Sequence, residues 1–464
     1  MSLQRLADGV LLPGFAGTAP PDWVRRRVAG GLGGVVLFAR NCGSAAQVAS
    51  LTAALRAERD GVVVATDEEG GDVTRLDAAV GSPVPGAYAL GVVDDVSLTR
   101  SVSAAAAARL ASAGVTLNLA PVADVNSAPD NPVIGVRSFG ATRDLVARHV
   151  VAAVAGTQAG GVAACAKHFP GHGDTAVDSH VGLPTVRDLA VEPFRAAVDA
   201  GVAAVMTGHL LVPGYGPLPA TLNPALVSGV LRGELGFGGA VVSDALEMAA
   251  IVDTVGLGEG AVLALLAGVD ALCLGGELDG EAVGDVVRDA LAGAVRSGRL
   301  PESRLAEAAG RTATLGRRAA GAPGELVALG MDAARRALRV VGPVRLAAPP
   351  TLVELNPAPT IPVGRTAWGL AGLLPGAVEC RVGPDDPLPA PAAGRPLVVV
   401  ARDATGVGWM GRAVAALVAA RPDAVVVEMG LPGPPATARG WIATGGASRA
   451  SALATAEILT GTAP

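Results

Sequence analysis

Lys167-His168-Phe169-Pro170-Gly171-His172-Gly173-Asp174-Thr175-Ala176-Val177-Asp178-Ser179-His180 holds three of the chain's five histidines. Beside them stand a lysine, two aspartates and the punctuating residues Pro170, Gly171 and Gly173. The apolar run Gly161-Val162-Ala163-Ala164-Cys165-Ala166 leads straight into this stretch, which therefore reads as the loop leaving a buried strand, where chemistry concentrates. His168 and His172 have the four-residue spacing of metal ligands on one helix face, but Pro170, Gly171 and Gly173 oppose a helix through them. Asp178 and His180, two apart, admit two readings. They form a carboxylate–imidazole pair, in which the acid fixes the tautomer and supports the imidazolium, or they belong to a solvated loop.

Outward from this segment the chain repeats one pattern. Short apolar runs occur at Gly9–Leu12, Gly34–Phe38, Val62–Ala65, Val115–Leu119, Ala163–Ala166, Ala203–Met206, Ala240–Ser243 and Ala271–Leu274, with helical stretches between them. Continuously apolar strands alternating with helices predict a parallel sheet covered on both faces, and eight such units have the size of a (β/α)8 barrel. An open doubly wound sheet is the alternative. Polar residues collect just after the runs: Asp67-Glu68-Glu69-Gly70-Gly71, Pro121-Val122-Ala123-Asp124, the histidine-rich segment, Thr207-Gly208-His209, and Asp244. Each could be a turn former or a cap, but in a barrel all five converge on the rim where catalytic residues sit.

Past Leu300 the helical pattern closes with Arg304 to Arg318, and Gly321-Ala322-Pro323-Gly324 reads as a break. A further helical stretch from Glu325 leads to candidate strands Thr351–Leu355, Ala377–Val382, Pro396–Val400 and Ala424–Val427, with helices over Gly408–Ala420 and Ser448–Leu459. The expected fold is α/β: a (β/α)8 TIM-like barrel over residues 1–320, a linker and connecting helix over 321–349, and a smaller C-terminal α/β layered domain over 350–464. The proline-rich tract Pro384 to Pro396 reads as a surface linker rather than a peptide ligand.

Composition narrows the function. A chain of 464 residues, half of them hydrophobic, exceeds what one core usually holds, so two domains are expected. The net charge of -6 argues against nucleic acid as a partner. No apolar run reaches the ~18 residues of a membrane span. The first residues, Met1 to Asp8, carry no secretory signal pattern, so a cytoplasmic location is expected. Cys42, Cys165, Cys273 and Cys380 show no paired spacing and read as small structural residues, the last three inside strands, in a reducing compartment.

The histidine-rich segment with Asp178-Ser179-His180 resembles the signature of the family 3 glycoside hydrolases, in the branch of the β-N-acetylglucosaminidases. Further matching blocks follow the same order: Leu37-Phe38-Ala39-Arg40-Asn41, Asp67-Glu68-Glu69-Gly70-Gly71, Ala120-Pro121-Val122-Ala123-Asp124, Ile134-Gly135-Val136-Arg137-Ser138-Phe139, Leu235-Gly236-Phe237-Gly238-Gly239 and Ser243-Asp244-Ala245-Leu246. The resemblance implies a retaining mechanism with Asp244 as nucleophile and His180, paired with Asp178, as acid/base. Retaining glycosidases generally use two carboxylates; in this branch a histidine takes the second role, which suits a group of unperturbed pKa about 6.5. For substrate binding it implies Asp67, Arg75, Arg137, Lys167 and His168. Read alone, Asp244 could cap the next helix, and Arg75 could belong to a surface ion pair. Glu68 stands where the branch commonly has Gln, and Asp72 where it has a basic residue.

The activity so implied is exo-β-N-acetylglucosaminidase action on small carbohydrates such as peptidoglycan fragments, with no metal and no organic cofactor. A phosphorylase of the same branch and a β-glucosidase are the enzymatic alternatives. A metal-dependent hydrolase built on His168, His172 and His180, and a catalytically silent sugar-binding protein, are the alternatives from other classes; the second would lack Asp244, Asp178 or His180.

Overall fold

The structure, a computed structural model, describes residues 2–276, 280–317, 324–390, 394–433 and 437–461. Three residues of the expected break, Gly321, Ala322 and Pro323, and residues 391–393 of the proline-rich tract lie outside them. Internal contacts divide the chain into two units. The first gathers Met1–Glu68, Thr99–Ile134 and Ala141–Gly324; the second gathers Glu69–Leu98, Gly135–Gly140 and Glu325–Pro464. Two segments of the stretch expected to form the barrel, 69–98 and 135–140, thus belong to the second unit.

All eight strands expected in the first unit are present: β1 (Leu11–Pro13), β2 (Gly34–Leu37), β3 (Val63–Thr66), β4 (Leu117–Asn118), β5 (Ala163–Phe169), β6 (Ala204–Thr207), β7 (Ala240–Ser243) and β8 (Leu272–Leu274). Strands β2 to β7 form a parallel sheet in sequence order, and β1 pairs in parallel with β8. A bridge between Val242 and Ala271, with the Ser243 N–H donating to the Ala271 carbonyl at 2.8 Å, ties β7 to β8.

The runs form strands because both of their faces are buried. Leu12, Val36, Val63, Leu117, Cys165, Met206, Val242 and Cys273 join one buried cluster that draws on every one of the eight strands. Their neighbours Val35, Val64, Val205, Val241 and Leu272, which alternate to the other face, are buried as well. Each such side chain contributes about 1.5–3 kcal/mol when withdrawn from water. A strand as short as β4 depends on that packing.

Strand β5 runs three residues beyond the apolar run, so Lys167 and His168 sit in the strand and the loop begins only at Pro170. The extension is fixed by backbone pairing: the Lys167 N–H donates to the Pro121 carbonyl at 3.1 Å, and the Ala123 N–H to the Lys167 carbonyl at 2.6 Å. Polar side chains made this end look like a loop, although Lys167 and His168 are both buried.

In the second unit β9 (Arg339–Val341), β10 (Thr351–Leu355), β11 (Val378–Val382), β12 (Leu397–Ala401), β13 (Val425–Glu428) and β14 (Gly440–Ala443) make a six-stranded sheet in the order β11-β10-β12-β13-β14-β9. It is parallel except for β9. Four of these strands are expected from sequence; β14, only four residues opening on glycine, and β9, exposed throughout at the sheet's edge, are not. Helix Gly408–Ala420 covers one face through Met410, Val414 and Leu417, and helix Arg449–Thr460 the other through Ala452, Ala456 and Leu459. Helix Leu326–Ala337 packs Ala334 on Ala450 and Ala454. Cys165 and Cys273 are buried as expected, whereas Cys380 is only half-buried because β11 is an edge strand; all four cysteines are free. Among the described residues no single helix is long and apolar enough to cross a membrane.

One buried charge organises the outer face of the first unit. Asp270, just before β8 and fully buried, accepts from Arg232 at 2.5 Å, Arg304 at 2.8 Å, Arg311 at 3.5 Å and the Val241 N–H at 2.9 Å. Removing the shared anion from a buried network leaves its cations uncompensated. Asp270→Ala is therefore expected to lower stability by about 3–5 kcal/mol in urea unfolding of the whole chain. A loss below about 1 kcal/mol would mean that the three arginines behave as exposed ion-pair partners.

Candidate active site

Because β2 to β7 are parallel neighbours, their C-terminal ends share one edge. Asp67 follows β3, Asp124 lies beyond β4, Lys167 and His168 end β5, His209 follows β6, and Asp244 follows β7. Lys167, 2% exposed, places its ammonium 2.6 Å from Asp67 Oδ1. Burial of a lone ammonium is prohibitive, so the carboxylate is what allows Lys167 to point inward.

Asp124 is fully buried and collects three donors from the histidine-rich segment. Its Oδ1 accepts the backbone N–H groups of His168 (3.1 Å) and His172 (2.7 Å), and Oδ2 lies 2.7 Å from His168 Nδ1. The loop beyond lies so close to the chain after β4 that a Cβ at Gly173 would stand 1.8 Å from the Val125 carbonyl oxygen. Only glycine fits there. His172 is held at both ring nitrogens, by Thr175 Oγ1 at 2.7 Å and Ser179 Oγ at 3.2 Å. Asn131 completes the lattice: its amide nitrogen donates to the carbonyls of His172 (2.8 Å) and Thr175 (3.0 Å), and its oxygen accepts from Val133 and Ile134 N–H. His172 thus serves loop architecture rather than a metal. Among the described residues no group of three or more His, Cys, Asp or Glu side chains is placed to hold an ion.

Asp178 and His180 are paired, with Oδ1 2.6 Å from Nδ1 and a second bond from the His180 backbone N–H at 2.9 Å. Each side chain is 21% exposed. Burial raises the Asp178 carboxyl, but its bonds to His180 outweigh that and hold it below the usual carboxylate range.

Asp244 stands at the tip of β7. Burial again pushes its carboxyl up, yet attraction to His168, His209 and His180, together with the Ala245 N–H at 2.8 Å from Oδ1, brings it down to about 2. It does not cap the next helix, which begins at Ala249 with Met248 at the N-cap. His209, fully buried, bonds Thr221 Oγ1 (2.8 Å) and the Ala245 carbonyl (2.9 Å).

Arg75 and Arg137 belong to the second unit. Arg75 is buried and donates to the Pro362 carbonyl at 2.9 Å, which is not the geometry of a surface ion pair. Arg137 makes a two-pronged contact with Glu69, Nε to Oε2 at 2.9 Å and Nη2 to Oε1 at 2.8 Å. Of the two departures from the family pattern, Asp72 has a partner in its own unit, Arg402 at 2.6 Å, and Glu68 is held through its backbone to Asn118.

Sequence reading placed Asp124 and His209 in the right segments without roles, weighed His172 only as a metal ligand, and gave no role to Asn131, Thr175, Ser179 and Thr221. Asn131-Pro132 carried a local signal, since asparagine before proline commonly bonds the following backbone. Thr175 and Ser179 bond His172 from three and seven residues away and Thr221 bonds His209 from twelve, spacings that carry no signature in the sequence.

Residues 24–315 match the glycosyl hydrolase family 3 N-terminal domain. The chain is 36% identical to beta-hexosaminidase A of Pseudoalteromonas piscicida over 283 residues, which are 54% of this chain and 47% of that protein. It is 38% identical to beta-hexosaminidase LpqI of Mycobacterium tuberculosis over 267 residues, 55% of this chain and 68% of that protein. The match spans about half the length of the first relative and two thirds of the second. Among solved structures, a glycoside hydrolase family 3 β-N-acetylglucosaminidase from Paenibacillus sp. str. FPU-7 superposes with a TM-score of 0.87 at 32% identity, covering 100% of this chain and 97% of that one. With the matched domain spanning well over half of its length, the chain belongs to glycosyl hydrolase family 3.

Proposed function

We propose that this glycoside hydrolase is a retaining exo-β-N-acetylglucosaminidase acting on small glycans, with peptidoglycan fragments in the cytoplasm as substrate. The observation that carries the reading is a carboxylate kept ionised, Asp244, within the field of His180, a histidine with its own carboxylate partner. The relatives named as hexosaminidases favour an N-acetylhexosamine, and four free thiols accord with a reducing compartment. We also read β1 to β8 as a closed (β/α)8 barrel, on the β1–β8 pairing, the β7–β8 bridge and the single shared core.

In the proposed mechanism an Asp244 oxygen attacks the anomeric carbon while the bond to the leaving oxygen breaks and His180 transfers its proton to that oxygen. Nδ1–H is directed at Asp178, so Nε2 carries the transferred proton. The sugar is then an ester of Asp244. Water attacks the same carbon, His180 takes up its proton, and the Asp244 carboxylate leaves. Asp67, Lys167 and His168 hold sugar hydroxyls by charge-assisted hydrogen bonds. The binding roles expected of Arg75 and Arg137 are kept as part of the proposal.

A 2-fluoro glycosyl substrate should leave one sugar on Asp244, found by peptide mass spectrometry, and Asp244→Ala should be folded but without turnover. An adduct on any other residue would remove Asp244 from the role. Activity should not depend on added phosphate; phosphate-dependent release of N-acetylglucosamine 1-phosphate would assign a phosphorylase instead.

His180→Ala should slow single-turnover glycosylation by a natural disaccharide about 10²–10⁴-fold, the usual worth of a general acid, and by a nitrophenyl glycoside far less, because nitrophenolate leaves without a proton. The variant should also accumulate the ester and show a burst. Asp178→Asn should fall in the same direction by a smaller factor, since the imidazole remains. Equal losses on both substrates would make His180 a binding residue.

A further inference from the structure

We propose that His209 is a positioning residue for Asp244, in which the Nε2–H tautomer grips the Ala245 carbonyl and so fixes the turn that carries the carboxylate. The proposal rests on the reading of Asp244 as nucleophile. No role is otherwise assigned to this imidazole.

Ala245 is anchored through both of its peptide groups. Its N–H donates to Asp244 Oδ1 at 2.8 Å, and its carbonyl lies 2.9 Å from His209 Nε2 and 3.2 Å from the Met248 N–H. One residue earlier, the Asp244 N–H donates to the Thr207 carbonyl at 3.1 Å. The segment after β6 therefore grips the turn after β7 twice, once by backbone at Thr207 and once by side chain at His209. A carbonyl can only accept, so Nε2 bears a proton. Thr221 Oγ1 lies 2.8 Å from Nδ1, 3.0 Å from Thr207 Oγ1 and 3.1 Å from the Gly208 carbonyl.

The ring is fully buried. Burial lowers its basicity, and so do the neighbouring His180 and His168, against the opposing pull of Asp244 and of the bond to Ala245. The net direction favours the neutral ring, with Nε2 as donor and Nδ1 as acceptor. Three histidines thus act on Asp244 with different duties: His168 is tied to Asp124, His180 to Asp178, and His209, which has no carboxylate partner of its own among the described residues, is tied to the turn. In-line attack requires the carboxylate within a fraction of an ångström of its proper place. Loss of a grip on the turn therefore reads out in the chemical step rather than in ground-state binding.

The test uses the full chain. In ¹⁵N-histidine-labelled wild type, His209 should show a protonated Nε2 and an unprotonated Nδ1 at about pH 7 to 8. A doubly protonated ring or the Nδ1–H tautomer overturns the proposal without any variant having to fold. His209→Ala should lower the glycosylation rate constant about 10²-fold at little change in substrate affinity. His209→Gln, whose amide can reach the same carbonyl, should recover at least about tenfold of that loss. A folded His209→Ala with the wild-type rate constant, or a His209→Gln no better than His209→Ala, also overturns it. Mass spectrometry of the wild-type adduct separates the two layers. Sugar on a residue other than Asp244 removes the nucleophile reading on which this rests, whereas sugar on Asp244 with an unaffected His209→Ala removes this inference alone.

Discussion

A carboxylate with no exposed surface cannot stand alone, and Asp124 is such a group. Its charge is met by two backbone N–H groups and one imidazole, all from the segment that leaves β5. Once that anion is buried, the chain at 168 and 172 has little freedom, because leaving would strand a charge in the interior at a cost of several kcal/mol. The remainder of the segment follows. His172, placed by its N–H, accepts the hydroxyl contacts of Thr175 and Ser179, and Asn131 secures the carbonyls of His172 and Thr175. Asp178 and His180 flank Ser179, so their orientation descends from Asp124 through a chain of bonds that contains no regular secondary structure.

That descent explains which parts of the protein were legible in the sequence. The eight strands were, because each is a continuous apolar run whose two faces are both buried. The end of β5 was not, since Lys167 and His168 break the apolar pattern although their side chains are satisfied by Asp67 and Asp124 from other strands. Asp244 and the Asp178–His180 pair were legible through the company of family blocks rather than through local chemistry; on spacing alone Asp178 and His180 could equally have been a solvated loop. The supporting polar residues other than Asn131 were invisible. A Thr221 that bonds an imidazole twelve residues earlier has the same neighbours in sequence as one that does not.

The division of the chain shows the same limit at a larger scale. Asp67 and Glu68 stay with β3, while Glu69 and the residues after it belong to the second unit. The turn itself needs glycine: Gly70 and Gly71 have φ of 80° and 60°, and a Cβ on Gly71 would meet the backbone of Gly86 at 2.5–2.6 Å. Before it Glu69 pairs with Arg137, and after it Asp72 pairs with Arg402. Arg75, which the family resemblance grouped with Asp67, donates to the Pro362 carbonyl, far along the chain.

Charge economy bears on the use of histidine in the proposed acid/base position. Two carboxylates in one buried site repel, and one of them is forced to keep a proton. Here the electrostatic demand at Asp244 runs the other way: burial pushes its carboxyl up, and the histidines nearby bring it down to about 2. An imidazole at position 180 can lend positive charge before it gives up its proton and then becomes neutral, whereas a carboxylic acid that gives up its proton becomes a second anion beside the first. The partner Asp178, itself held in the ionised range by His180, supports the imidazolium from the side away from the transferred proton. The pair therefore returns to a net neutral state when the imidazolium is charged and bears one negative charge when it is not. That charge is delocalised on a group fixed by two hydrogen bonds, on the Nδ1 side of the ring rather than the side of the transferred proton.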